Sequence, residues 1–170
     1  MSVRTIADDC WSKQHNQGDG VARKVFFSFH FQRDSWRVGP VRNSNVVRGY
    51  DKNPFFSDKA EWESIKRTTP GGIQAWIDKQ LFGTSVTVVL IGAETANRPW
   101  VKYEIEQSIA LGKALVGVHI SGIQNQRKET DSLGMNPLPS EYPVYKWNHD
   151  GGAERLGKWI EAAALSQGRP

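Results

Sequence analysis

A chain of 170 residues with seven Trp and seven Phe can bury a substantial core, which excludes a disordered chain and points to one domain. Its net charge of +4 comes without a long Lys/Arg run or regular basic–aromatic alternation, so nucleic acid is not the expected partner and a basic cleft for a small polyphosphate is. The single cysteine, Cys10, excludes an internal disulfide or a multi-thiolate metal site, and the lack of a membrane-length apolar run or a signal-peptide core makes a reducing, cytoplasmic setting without a membrane partner the expectation.

Residues 1–22 mix Ser, Asp, Gln, Asn and Gly and read as an extension outside the core, with Gly18-Asp19-Gly20 as its hinge; residues 23–168 form the domain. Residues 24–30 are nearly continuous in apolar character, as in a strand covered on both faces. The segment 32–44 carries Asp34, Ser35, Arg37, Arg42 and Asn43, and Gly39-Pro40 is expected to interrupt any helix there. A short strand over 45–50 and a loop presenting Phe55 and Phe56 follow. Asp58 with Glu61 resembles a capping box opening a helix to about residue 67. Thr69-Pro70 then supplies an N-cap and a first-turn proline for a helix whose Ile73, Trp76, Ile77 and Leu81 make one packed stripe, ended by Gly83.

Strands are predicted over 86–91, with Gly92 at the exit, and over 114–120; the helix between them ends at Gly112. Residues 121–141 show little periodicity, and a segment of that length in a compact domain is usually functional or mobile. A last strand over 144–147 precedes a helix capped by Asp150, with Leu156, Trp159, Ile160 and Ala163 as its packing face. Strands alternating with helices imply an α/β fold: a three-layer sandwich with a mostly parallel central sheet, flavodoxin-like in plan. Ligands of such folds sit beyond the carboxyl ends of the strands. Here those ends deliver residues 30–37, residues 92–97 and the first turns of the helix that follows.

That helix holds an anomalous acid. At about 100° per residue, Trp100 and Leu111 lie about 20–40° to one side of Glu104, and Ser108 and Val101 about 40–60° to the other, with Ile105 and Ile109 extending the apolar arc. A carboxylate there is costly unless paired. It reads either as a site acid or as a glutamate satisfied by Ser108 or a nearby arginine. Competing chemistry is thin. There is no G-x-G-x-x-G and no Walker loop, so no bound cofactor is expected, and His15, His30, His119 and His149 lack paired ligand spacing, so no metal is. A triad of Ser28, His119 and Asp34 can be drawn only without a nucleophile elbow.

Three pieces carry a resemblance: Lys24-Val25-Phe26-Phe27-Ser28-Phe29-His30-Phe31, Val41-Arg42-Asn43, and the run from Gly83 through Gly92 to Ile105. Together they resemble a Toll/interleukin-1 receptor (TIR)-like domain, specifically the bacterial group serving Thoeris anti-phage defence. Trp100-x-x-x-Glu104 resembles the Trp-Cys-x-x-Glu element of TIR NAD-cleaving enzymes, with Val101 in place of the cysteine. The resemblance implies cleavage of the nicotinamide glycosidic bond of NAD with Glu104 as the essential carboxylate. It further implies a cyclic ADP-ribose-type product that activates a separate effector. Phe29, His30, Arg37, Arg42 and Asn43 would hold the adenosine and pyrophosphate, with Arg37 and Arg42 on phosphate, and Trp100 would exclude water. A homo-oligomer is expected. The alternative is a non-catalytic self-association or nucleotide-sensing module, for which Phe55-Phe56 would be a contact surface.

Overall fold

The computed structural model of the protein describes residues 23–44, 71–125 and 127–168. Among them, strands β1 (Val25–Phe29), β2 (Val86–Ile91), β3 (Ala114–His119) and β4 (Val144–Lys146) pair in that order, all parallel. Val25 lies opposite Val86, Val86 opposite Ala114, and Gly117 opposite Val144. All six residues of β2 are buried, which is why its sequence is β-branched and apolar on both alternations rather than one.

Period-two alternation sends the strand side chains into two cores. Val25, Phe27, Val86, Val88, Leu90, Val116 and Val118 pack against Val38 and Val41 of helix α1 (Phe31–Asn43) and Leu156, Trp159 and Ile160 of helix α4 (Gly152–Ser166). On the opposite face, Val89, Ile91 and Leu115 meet Val101 and Ile105 of helix α3 (Pro99–Ala110). Phe26 there meets Ile77 and Leu81 of helix α2 (Gly72–Leu81), with Trp76, Trp100 and Tyr103 at the margin. The three-layer α/β expectation therefore holds for the described residues. The chain's extension 1–22, the strand at 45–50, the Phe55-Phe56 loop and the helix at 58–67 lie outside them.

Three local readings are corrected. Helix α1 runs unbroken through Gly39 and Pro40. A helical proline crowds the residue before it and the carbonyl four residues back. Here the preceding residue is glycine, with no Cβ to clash, and both Pro40 and Trp36 lie on the exposed side of the helix. Helix α2 starts at Gly72 behind a left-handed Gly71 (φ 91°), not at Thr69-Pro70. Helix α4 is entered through left-handed Gly151 (φ 72°), without a side-chain cap. Asp150 instead accepts the Lys146 amide at 2.6 Å, closing the turn after β4.

Candidate active site

The element that places Glu104 is a strand-to-helix connection. After β2 the chain turns at Gly92, whose N–H donates to Thr95 Oγ1 at 2.9 Å, passes through a short 3-10 turn (Thr95–Asn97), and enters α3 with Pro99 in the first turn. Proline fits there because the first helical N–H groups have no intrahelical acceptor. Val101, Glu104, Ile105 and Ser108 are the buried residues of α3. Ile109 and Leu111, expected in the same arc, are exposed, so the buried face is narrower than periodicity alone implied.

Glu104 is 8% exposed. The one hydrogen-bonded partner of its carboxyl among the described residues is Ser28 of β1, whose hydroxyl donates to Oε2 at 2.5 Å across the helix–sheet interface. Burial pushes the carboxyl up to about 8, with the Ser28 hydrogen bond acting in the opposite direction. Among the described residues, no guanidinium or ammonium pairs with it. Ser108 does something different from the expected pairing with the carboxylate. Its hydroxyl donates to the backbone carbonyl of Glu104 at 2.7 Å and lies 2.8 Å from Thr87 Oγ1 of β2. With one proton per hydroxyl, Thr87 is then the donor to Ser108, and the helical turn is fastened to the sheet.

A second polar cluster occupies the same carboxyl end of the sheet. Asp34, wholly buried near the start of α1, accepts from Arg37 Nη1 at 3.1 Å, and its other oxygen lies against Gly92, where any Cβ would collide with it. Arg37 also reaches Asp131 at 3.3 Å and lies over the Trp36 ring. Arg33 joins Asp131 at 3.0 Å to Glu94 at 2.8 Å, and Glu94 in turn pairs with Arg98. Burial raises the Asp34 carboxyl, partly offset by Arg37. For Asp131 burial also acts upward, but the Arg33 hydrogen bonds and the Ser132 amide outweigh it and hold the group below the usual carboxylate range.

This cluster gives the aperiodic segment 121–141 its place. Besides Asp131, the segment is anchored by Leu138, which packs on the Val89–Ile91 core, and by Gly134, seated so close to the Gly92 carbonyl that a Cβ would overlap it. Neither anchor has a periodic sequence signal. An acid with two arginines in reach and a glycine far from any helix end were the only traces.

The residues expected to bind substrate separate into two groups. Phe29 is half-buried and in ring contact with Phe31. His30, at the N-cap of α1, has a buried Nδ1 without a hydrogen bond, and burial followed by the Arg98 charge lowers its pKa. Trp100 lies one turn before Glu104, edge-on to Tyr103 at 6.2 Å. These stay near the strand ends. Arg37 is there too, its Nη1 shared by Asp34 and Asp131 and its buried Nε without a hydrogen bond among the described residues. Arg42 and Asn43 occupy the last turn of α1, about 18 Å along the helix axis from its start. The structure does not bring them to Glu104. The residue that sequence reasoning missed is Ser28, weighed only as a nucleophile.

A parallel α/β sandwich with a buried acid one helical turn beyond a tryptophan is the arrangement that the TIR-like resemblance led one to expect. The family profile described as "Thoeris protein ThsB, TIR-like domain" matches residues 26–125. A Bacillus cereus (strain MSX-D12) protein named "Putative cyclic ADP-D-ribose synthase ThsB1" is 38% identical over 152 residues, spanning 86% of this chain and 78% of that protein. The chain belongs to the Thoeris ThsB family of TIR-like proteins. Among the described residues, no helix is long and apolar enough to cross a membrane, and no His/Cys/Asp/Glu group could hold a metal ion.

Proposed function

We propose that the protein cleaves the nicotinamide N-glycosidic bond of NAD and closes the remaining ADP-ribose into a cyclic signal, with Glu104 as the catalytic carboxylate. The observation that carries this reading is the buried Glu104, held by a hydroxyl and, among the described residues, by no cation. A structural acid in that position would be expected to have a counter-charge. An acid awaiting a cationic ligand would not. The relative's printed name supports the same reaction class.

The chemistry suits one carboxylate. Nicotinamide leaves as a neutral molecule, taking the C1′–N bond pair with it, so no general acid is required. Positive charge develops on the ribosyl ring as in other glycosyl transfers. A desolvated carboxylate beside that ring stabilises the charge and accepts hydrogen bonds from its hydroxyls. The cationic nicotinamide ribosyl group also favours the ionised form of Glu104, countering the burial that raises its pKa. The apolar surface around Trp100 limits water, so a nucleophile within ADP-ribose supplies the new pair to C1′ and releases a proton. NAD is thus the substrate and no resident cofactor takes part. Phe29 and His30, at the end of β1, are the residues proposed to contact the nucleotide. A homo-oligomer and an effector answering to the cyclic product complete the proposal, placed in the cytoplasm where NAD is available.

The test is incubation with NAD, with and without a phage-derived trigger, following nicotinamide and adenine-containing products by chromatography. Expected are nicotinamide and a cyclic product from the wild type and neither from Glu104→Gln. A wild type without turnover at high protein concentration overturns the reading, and undiminished turnover by Glu104→Gln overturns the site.

A further inference from the structure

We infer that Ser28 is the positioning residue of Glu104: its hydroxyl holds Oε2 and supports the carboxylate form, leaving Oε1 for the ligand. The inference rests on the proposed role of Glu104 and deepens it. Ser28 is 1% exposed, its hydroxyl lies 2.5 Å from Oε2, and no other hydrogen bond reaches the Glu104 carboxyl among the described residues. A strand position facing an apolar helix layer would ordinarily hold Val or Ile, as its register partner Val89 does. A hydroxyl there is explained by the acid it meets. It can donate to the ionised carboxylate and accept from the neutral acid, so it satisfies both protonation states.

The charged groups on the packed elements are engaged elsewhere. On α2, Asp78 accepts from Tyr103, and before β3, Lys113 donates to the carbonyls of Leu81 and Thr84. On α3, Lys102 and Glu106 are exposed, and Arg98 at its N-cap turns to Glu94. On β1, Lys24 just before the strand is exposed, and β2 carries no ionisable residue. His119 at the end of β3 feels chiefly its own burial and then Lys146. His30, directly after β1, feels its own burial and then Arg98. Among the described residues, Ser28 is therefore the group through which the fold tunes Glu104.

The experiment compares wild type, Ser28→Ala and Ser28→Thr, with circular dichroism and thermal melts establishing that each folds. The ligand-free readout is the Glu104 carboxyl carbon followed by NMR through a pH titration, assigned with Glu104→Gln. A hydrogen bond to a charged group corresponds to about one to two pH units, so the midpoint rises by that amount in Ser28→Ala and returns toward wild type in Ser28→Thr. With NAD, the acid limb of kcat/KM moves up by the same amount. The deficit is about 10- to 100-fold at pH 7 and narrows as the pH is raised. A folded Ser28→Ala with an unmoved midpoint overturns the inference, as does a rate loss equal at every pH. A moved midpoint in a protein that never cleaves NAD upholds the coupling between Ser28 and Glu104 and overturns only the substrate reading.

Discussion

Asp34 and Glu104 are both buried acids at the carboxyl end of one parallel sheet, on opposite faces of it, and the fold treats them differently. Asp34 has a guanidinium at 3.1 Å, itself shared with Asp131, in a network that fastens α1 to the segment 121–141. Glu104 has, among the described residues, a hydroxyl and nothing charged. A compensated acid holds structure together, because removing its partner strands a charge. An uncompensated one is a standing cost that a cationic ligand can relieve. The contrast is a better guide to the site than burial, which the two acids share.

The comparison breaks most visibly at Glu104. Glu104→Gln should lower NAD turnover by about 1,000-fold or more while leaving the fold intact, measured by nicotinamide release and circular dichroism. The same variant should change the pH dependence of stability. Folding favours the neutral form of Glu104, whose value rises from 4.5 to about 8. Its contribution is therefore full below pH 4.5 and lost as the pH climbs through about 8, a decline on the order of 5 kcal/mol. Urea melts between pH 5 and 9 should show that slope in the wild type and a flatter one in Glu104→Gln.

At Asp34 the expected effect is structural. Arg37→Leu leaves a wholly buried carboxylate without its cation and should cost about 3–5 kcal/mol in urea unfolding. Adding Asp34→Asn should return part of it. If Arg37→Leu were instead near neutral in stability and severe in turnover, Arg37 would belong with Glu104 after all. Gly134→Ala puts a methyl into the Gly92 carbonyl and should cost about 1–3 kcal/mol, with faster amide exchange confined to the segment around it. Asp131→Asn should be smallest, about 1 kcal/mol at low salt and less at high salt, since Arg33 is exposed.

Strands β1 to β3 were legible because burial on both faces writes a continuous apolar run, and Glu104 stood out because helical periodicity fixes which face an acid must share. Its partner was not legible. Ser28 lies 76 residues away, and the pairing depends on which strand α3 crosses, a property of topology rather than pattern. Helix α1 was misread because a rule about proline was applied without its neighbours: Gly39 removes the clash and an exposed face accommodates the lost hydrogen bond. The segment 121–141 offered no period to read, since it is held by an ion pair, a buried leucine and one missing Cβ.

The link from Thr87 through Ser108 to the Glu104 carbonyl bears on how the carboxylate moves. It fastens the backbone of that turn to the wholly buried strand β2, which leaves side-chain rotation as the simplest freedom of the carboxylate. In the proposed reaction the carboxylate would swing from Ser28 toward the ribose on an anchored turn, without a shift of its helix.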